Sequence, residues 1–243
     1  MTEATIAAPH ADRPEHFLVI VAHPDDAEFG PAATAARWID GGSVGELVCC
    51  TSGEAGGEDP FADPMELASR REEEQRAAAA IVGYRAVHFL HQPDGALDND
   101  LPLREQLVRI IRTLRPDAVL ANDPTYIFHA DGYILHTDHR AAGMAAVDAM
   151  YPAAQNAMAF AHLARAGLAP HKVEVLYLFW AAEPDTWVDA TGYQDRKVAA
   201  LLAHGSQMKD PVAMEERVRE RLAKEGARVG VAAAEAFRLI RRR

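Results

Sequence analysis

The sequence predicts an α/β fold, in which a mainly parallel β-sheet carries helices on both faces. Two observations predict it. Short apolar runs rich in β-branched residues recur along the chain, and segments with helical character separate them. Polar clusters follow four of these runs, as expected where the carboxyl ends of parallel strands meet at one edge of a sheet.

The predicted strands are short and apolar over most of their length, which is typical of strands buried on both faces of a sheet. They comprise residues 17–22, 45–51, 86–90, 118–121 and 172–180. Helical segments lie between them, so each connection returns the chain to the same end of the sheet. Strands joined in this way run parallel, and the predicted arrangement is Rossmann-like.

Helices are predicted between the strands and after the last one. The first two, 27–40 and about 64–82, end at glycines, which readily take the left-handed conformation that closes a helix. The third has an apolar stripe at helical period, formed by Leu103, Leu107, Ile110, Ile111 and Leu114. The others are expected from residue 137 onward and at 192–204, 211–225 and 229–240.

Four polar loops follow predicted strands, and their residues are the candidates for a functional site. They are residues 23–28, 51–58, 91–95 and 122–139. Parallel sheets bind ligands at the carboxyl ends of their strands, especially where the strand order reverses. The sequence therefore predicts one site, built from four loops at a single edge of the sheet.

The formal net charge of −11 argues against nucleic acid or an anionic membrane as the principal partner, because both repel an acidic protein. No apolar run approaches the roughly 20 residues that span a bilayer. The only cysteines, Cys49 and Cys50, are adjacent in an apolar run, which is typical of reduced core thiols. We therefore expect a cytoplasmic protein whose partner is a small molecule.

The sequence predicts a flexible leader at residues 1–14. This segment lacks the basic start and the apolar stretch of an export signal. The remaining residues, 15–243, show no internal repeat and no linker. A chain of this length can bury one sizeable core, so a single domain is expected. A homo-oligomer is compatible with this organisation, and the sequence leaves the oligomeric state open.

Two clusters of metal-binding residue types follow predicted strands. His23 and Asp26 are three residues apart on a strand-to-helix turn, close enough to hold one ion together. The second cluster, residues 136–139, has the sequence His-Thr-Asp-His. Two imidazoles and one carboxylate form the usual open zinc set of catalytic sites, which leaves a position for water. The same set also binds iron(II) in oxygenases.

Three neighbouring side chains suit proton transfer and charge stabilisation. Asp25 adjoins a ligand and can take a proton from metal-bound water. His136, one turn before His139, can stabilise an oxyanion, and Asp138 can fix the tautomer of that imidazole and raise its pKa. The simpler alternative is that Asp25 or Asp26 only caps the following helix. The joint occurrence of both clusters at strand ends favours a metal site.

These motifs resemble those of the LmbE-like (PIG-L) zinc-dependent N-deacetylase family. The resemblance rests on His-Pro-Asp-Asp-Ala-Glu at residues 23–28 and His-Thr-Asp-His at residues 136–139. A glycine-rich loop, an Arg-x-x-Glu helix and two short turns also agree, at residues 51–57, 71–83, 93–95 and 115–117. The similarity extends from about residue 17 to residue 207.

The resemblance implies a hydrolase that removes an N-acyl group, typically acetyl, from an N-acetylglucosamine conjugate. By it, Zn²⁺ would be bound by His23, Asp26 and His139. Asp25 would be the general base, and His136 the electrophilic or acid partner steadied by Asp138. The sugar-like part of the substrate would be contacted by Arg71 and Asp94.

One departure from the family pattern is Thr137, which stands where the family usually has proline. Proline often occupies the first helical position, and threonine can cap a helix there, so we expect the ligand geometry to be preserved.

Other functions stay open at this point. An amidase of a thiol-sugar S-conjugate is the nearest alternative, followed by a non-haem iron oxygenase and a non-catalytic sugar-binding protein. Metal binding alone requires neither Asp25 nor His136, which argues against the last. Another divalent metal such as Fe²⁺ is compatible with the ligand set, and no further cofactor is predicted. The roles of Glu28, His129 and His204 are left open.

Overall fold

The computed structural model describes residues 8–129 and 132–242, and a seven-stranded β-sheet forms their centre. Its strands are β1 (His16–Val21), β2 (Val44–Thr51), β3 (Ala86–Gln92), β4 (Ala118–Asn122), β5 (Val175–Phe179), β6 (Thr186–Asp189) and β7 (Ala234–Arg241). Their order across the sheet is β3-β2-β1-β4-β5-β7-β6. The first five pair in parallel, whereas β7 is antiparallel to both of its neighbours. The predicted α/β fold is confirmed.

Helices connect the strands and cover both faces of the sheet. They are α1 (Asp26–Phe29), α2 (Ala32–Asp40), α3 (Pro64–Val82), α4 (Leu101–Leu114), α5 (Thr137–Asp148), α6 (Ala161–Arg165), α7 (Gln194–Leu202) and α8 (Pro211–Ala227). An irregular turn, Ala149–Ala153, continues α5, and a 3₁₀ turn, Gly205–Gln207, follows α7. The helix predicted at 27–40 is divided into α1 and α2, because Pro31 has no N–H to continue the helical hydrogen bonds.

The strand β1 shows how the sheet is buried on both faces. Leu18 and Ile20 pack into the apolar layer that contains α4 and α5. Phe17, Val19 and Val21 point to the opposite side and pack with α2 and α3. Successive side chains of a strand point to opposite faces, so a run that is apolar at every position needs a helical layer on each side.

The helix predicted at 229–240 is wrong, because these residues include β7. Phe237 is fully buried and pairs with Phe179 of β5, while Arg238 is exposed. The alanines at 232–234 favour a helix locally, but pairing with β5 and β6 provides more burial for the apolar side chains. The strand β6, at Thr186–Asp189, was not predicted, since four residues carry too short a pattern.

The strand order reverses between β1 and β4, which are neighbours although β2 and β3 lie between them in the chain. The connections after β1 and β4 therefore leave in opposite directions and open a crevice at the carboxyl ends of these strands. Among the described residues, no helix has the length and apolar character required to cross a bilayer.

The predicted leader, residues 1–14, is described only in part. Residues 1–7 lie outside the described residues. Within residues 8–14, His10 forms a bridge with Val188, and its Nε2 lies 3.0 Å from the Tyr177 hydroxyl. This part of the segment lies against the sheet.

Candidate active site

The crevice between β1 and β4 collects the side chains that the sequence singled out. The turn after β1 carries His23, Asp25 and Asp26, and the start of α5 carries Asp138 and His139. The side-chain oxygen Oδ2 of Asp26 accepts hydrogen bonds from the backbone N–H groups of Ala22 (3.1 Å) and His23 (2.9 Å), so the turn is closed on itself. Loops after β2 and β3 complete the rim.

His23, Asp26 and His139 bring four potential ligand atoms close together, two imidazole nitrogens and both oxygens of the Asp26 carboxylate. His23 Nδ1 is 3.3 Å from His139 Nε2 and 3.6 Å from Asp26 Oδ2, and His139 Nε2 is 3.1 Å from Asp26 Oδ1. Tetrahedral zinc bonds of 2.0–2.2 Å imply roughly 3.3–3.6 Å between ligand atoms. The distance between the two imidazole nitrogens fits this spacing, and Asp26 approaches each imidazole through a different oxygen. The donor types therefore fit a divalent ion of this kind.

The second nitrogen of His23 faces two further carboxylates. Its Nε2 lies 3.0 Å from Asp94 Oδ1 and 3.3 Å from Asp138 Oδ2. An imidazole that binds a metal usually donates its other N–H to a carboxylate, which fixes the ring and raises its basicity as a ligand. His23 has this arrangement, with Nδ1 towards His139 and Asp26 and with Nε2 towards Asp94 and Asp138.

The carboxylates give the crevice a strongly negative character. Burial lowers the pKa of His23, but hydrogen bonds to Asp138, Asp26 and Asp94 outweigh it and raise the pKa to about 12. Burial opposes ionisation of Asp26, yet the neighbouring His139 and His23 hold its pKa well below the usual range. A site with several buried carboxylates around imidazoles favours a bound cation.

Other combinations of ligand atoms also lie close together. Within the described part of the chain, His23, His136 and His139 each offer a nitrogen within 4.8 Å of the others, and so do ligand atoms of His23, Asp94 and Asp138. In the second set, His23 takes part through Nε2, the nitrogen that faces away from His139. The first set leaves His136 as a further candidate ligand, and this can be tested by mutation.

Asp25 has a strained backbone at the start of α1. Its φ is 99° and its ψ is −25°, in the left-handed region, which typically costs about 1–3 kcal/mol for a residue other than glycine. Its N–H donates to the side-chain oxygen of Gln75 at 2.9 Å, and Arg71 lies 3.5 Å from its carboxylate. Burial and the charge of Asp26 raise the pKa of Asp25 to about 7, against the opposing effect of Arg71.

The structure places Asp138 differently from the predicted partnership with His136. Its carboxylate accepts hydrogen bonds from the backbone N–H of Gly95 (2.7 Å) and Leu97 (3.4 Å) and faces His23. Only its backbone N–H contacts His136, by donating to Nδ1 at 3.2 Å. That bond leaves Nε2 as the nitrogen of the exposed His136 ring that can act on a substrate.

Arg71 is buried and bonded to backbone groups of two loops. It donates to the carbonyl oxygens of Pro24 at 2.7 Å and Gly53 at 3.0 Å, and it thus joins the turn after β1 to the glycine-rich loop after β2. Gly53 has a positive φ of 73°, and a Cβ there would lie 2.5 Å from the guanidinium. The close approach of the arginine explains a glycine at this position.

Asp94 is engaged on both of its oxygens. Oδ1 faces His23, and Oδ2 accepts from the backbone N–H of Ala55 at 2.9 Å. Its own N–H donates to Glu54 at 2.8 Å. The contacts of Asp94 and Arg71 in the structure are therefore with other parts of the protein, and their predicted contact with substrate remains a prediction.

Two groups beside the site were not identified from the sequence. Gln75 lies one helical turn after Arg71 on α3, and this spacing was the signal that could have shown that both face the same turn. Trp180, which follows β5, packs its ring 5.1 Å from that of His139. The predicted strand at 172–180 includes Trp180, whereas the observed strand ends at Phe179, so nothing in the sequence indicated that this side chain lies on the rim.

The long loop after β4 forms an exposed apolar surface beside the site. Phe128 and Ile134 form an antiparallel bridge, and their side chains are 73% and 62% exposed. The hydroxyl of Tyr126 donates to the carbonyl oxygen of Trp180 at 2.7 Å, and its ring lies 5.9 Å from that of His129. The loop thus combines an anchored base with exposed apolar side chains, although Ala130 and Asp131 are outside the described residues.

Comparison with known proteins gives consistent matches. A family model described as PIG-L, GlcNAc-PI de-N-acetylase, matches residues 18–150. A diacetylchitobiose deacetylase of Thermococcus kodakarensis is 31% identical over 195 residues, covering 80% of this chain and 71% of that protein. A Bacillus anthracis protein named probable N-acetyl-alpha-D-glucosaminyl L-malate deacetylase 2 is 29% identical over 203 residues, covering 79% of this chain and 81% of its own length.

A solved structure agrees over most of the chain. It is that of N,N'-diacetylchitobiose deacetylase from Pyrococcus horikoshii with a bound inhibitor. The TM-score is 0.86 at 28% identity, and the match covers 94% of this chain and 84% of that one. The similarity therefore extends well beyond residues 18–150, the region of the family model.

Proposed function

Because the chain belongs to the PIG-L family of GlcNAc-PI de-N-acetylases, we propose that it is a metal-dependent N-deacetylase acting on an amino-sugar conjugate. The resemblance predicted from the sequence motifs is confirmed by the family match. The observation that carries the proposal is the close approach of the side chains of His23, Asp26 and His139, with Asp25 and His136 beside them. Fe²⁺ is the alternative to Zn²⁺ in this set.

The proposed roles follow from the placement of each side chain. A bound zinc ion supplies Lewis acidity, which lowers the pKa of water towards neutrality and polarises an amide carbonyl. Asp25 accepts the proton of the attacking water, because its carboxylate lies on the turn between two ligands and has a raised pKa. His136 stabilises the negative charge that develops on the carbonyl oxygen.

The reaction that these residues serve is hydrolysis of a C–N bond. The water oxygen bonds to the acyl carbon, and its proton passes to Asp25. The C–N bond then breaks, and the proton goes to the leaving nitrogen, which yields acetate and a free amine. Asp94 and Asp138 hold His23 in place throughout, since both face its Nε2.

The proposal extends to the remaining expectations from the sequence. We retain a single domain over residues 15–243, a cytoplasmic location, a possible homo-oligomer and substrate contacts by Arg71 and Asp94 as hypotheses. Relatives are named for deacetylation of diacetylchitobiose and of N-acetylglucosaminyl malate, which supports a small amino-sugar conjugate as the substrate.

The test is a screen of N-acetylglucosamine conjugates, including N,N'-diacetylchitobiose, with the zinc-loaded protein. We expect equal amounts of acetate and free amine from at least one conjugate, and release slowed by about 10²–10⁴-fold in the Asp25→Asn variant. A thioether conjugate should be included in the screen. Cleavage of that compound at its linking amide without acetate would support the amidase alternative, and turnover that requires Fe²⁺ and oxygen would support the oxygenase.

A further inference from the structure

Three buried polar side chains behind the candidate site form a hydrogen-bonded chain that ends at Asp25. His204 Nε2 lies 3.1 Å from Glu28 Oε2, and Gln75 Nε2 donates to Glu28 Oε1 at 3.0 Å. The amide oxygen of Gln75 accepts the N–H of Asp25 at 2.9 Å. His204, Glu28 and Gln75 are each 0% exposed. Buried polar groups are generally hydrogen-bonded, and these contacts pair the side-chain polar atoms of the three residues except His204 Nδ1.

The positions of the protons in this hydrogen-bonded series follow from His204 at one end and Asp25 at the other. His204 Nδ1 is buried and has no hydrogen-bond partner within the described residues. Because Nε2 faces a carboxylate, the proton of the neutral imidazole belongs on Nε2, and His204 donates to Glu28. Glu28 accepts on both oxygens, so the amide nitrogen of Gln75 must point at Glu28 and its oxygen at Asp25. The chain thereby fixes which way the Gln75 amide faces.

Asp25 needs such a partner because of its backbone conformation. Its φ of 99° lies in the left-handed region, which residues other than glycine rarely adopt. A residue stays in this conformation only when neighbouring contacts enforce it. Its N–H lies at the start of α1, where no carbonyl of the helix is available to accept it. Gln75 supplies that acceptor, and Arg71 fixes the preceding carbonyl of Pro24 at 2.7 Å.

We propose that His204, Glu28 and Gln75 are positioning residues, which hold Asp25 in its left-handed conformation and so aim its carboxylate at the reacting water. The catalytic part of this inference rests on the proposed function, whereas the conformational part depends only on hydrogen bonds within the protein. The competing explanation is that the three residues only tie α1, α3 and the end of α7 together. Both explanations predict a loss of stability, but only positioning predicts a change at Asp25.

The test compares three variants. Gln75→Met removes the hydrogen bonds to Asp25 and Glu28 at nearly constant side-chain length. Glu28→Gln preserves the chain, because its amide oxygen accepts from Gln75 while its nitrogen donates to the other tautomer of His204. Glu235→Gln is the matched control, since Glu235 is a buried carboxylate that binds Lys197 and the N-terminus of α2 without contacting Asp25. If Gln75→Met does not fold, His204→Phe is the alternative variant, because it removes the hydrogen bond between His204 and Glu28.

We expect kcat of Gln75→Met to fall about tenfold to a hundredfold, as misplacement of a reacting group by about 1 Å does. KM and zinc content should be unchanged, since the ligand atoms keep their own contacts. Glu28→Gln should retain most of kcat, and Glu235→Gln should lower Tm alone. A crystal structure of Gln75→Met should show Asp25 leaving the left-handed region.

The inference is overturned if Asp25 keeps a φ near 99° in that structure, or if Gln75→Met loses only Tm, as the control does. The crystal structure is independent of turnover, so the two proposals can fail separately. A wild-type protein that releases no acetate from any conjugate would refute the proposed function. A shift of Asp25 in the same series would still support the positioning role.

Discussion

Among the side chains of the candidate site, that of His23 makes the most contacts. One nitrogen lies near Asp26 and His139, and the other near Asp94 and Asp138. Each carboxylate comes from a different position in the chain, so the orientation of one ring depends on the loops after β1, β3 and β4. The proposed metal ligands are therefore held by contacts that the sequence motifs alone do not show.

Substitution of the three proposed ligands should remove the metal. We expect about one divalent ion per chain in the wild type and a loss of it in His23→Ala, Asp26→Ala and His139→Ala, because an open catalytic site has only three protein ligands. Elemental analysis of the purified variants measures this. His136→Ala is the control and should keep its metal. Loss of metal in that variant would instead make His136 a ligand.

Asp25 should be separable from the ligands by a nearly isosteric change. Asp25→Asn keeps the size of the side chain but cannot accept a proton. A well-placed general base contributes typically 10²–10⁴-fold, so kcat should fall by about that factor while zinc content stays constant. The rate and the metal content should be measured on the same preparation. Zinc retained with a near-normal kcat would mean that another group activates the water, since the Asp25 side chain makes no capping hydrogen bond to α1.

The helix α5 carries His139 and lies unusually close to β4. A Cβ placed on Gly143 would lie 2.3 Å from the backbone oxygen of Asn122, so only glycine allows this separation of helix and strand. Gly143 is one turn after His139 on the same helix. The distance between His139 and His23 therefore depends on a residue that contacts neither of them.

Gly143→Ala should weaken metal binding from outside the site. The added methyl group must push α5 away from β4, which moves His139 away from His23 and Asp26. We expect lower zinc affinity by calorimetric titration together with a lower Tm. Ala146→Gly, one turn further along the same helix, is the control for a loss of stability alone, because it weakens the buried helix without pushing it from β4 and should lower Tm without lowering zinc affinity. Unchanged zinc affinity in Gly143→Ala would show that α5 can shift without moving its first turn.

The sequence predicted elements with strong local signals and missed those that depend on distant partners. The helix predicted at about 64–82 is observed at Pro64–Val82, and Gly83 marked its end in the sequence. The strand β7 was not predicted, since its register is set by pairing with β5 and β6. For the site, the motifs identified the side chains, but the orientation of Asp138 towards His23 depends on Gly95 and could not be inferred from spacing.

At the scale of the whole molecule, the proposed ligands come from two separate parts of the chain. His23 and Asp26 follow the first strand of the sheet, and His139 belongs to the helix after β4. The crevice between them exists because the strand order reverses at this point. An ion bound there would join the two halves of the parallel sheet, with β2 and β3 on one side and β5 on the other.

Such an ion acts as a reversible cross-link, so its binding free energy becomes part of the free energy of unfolding. A ligand that binds only the folded state, present at a thousandfold excess over Kd, contributes about 4.1 kcal/mol. For a chain of this size each kcal/mol raises Tm by roughly 2–4 °C, so chelation should lower Tm by about 8–16 °C. Calorimetry with and without EDTA measures the change, and His139→Ala should show none. Thermal resistance of this fold would then depend on the supply of metal as well as on its core.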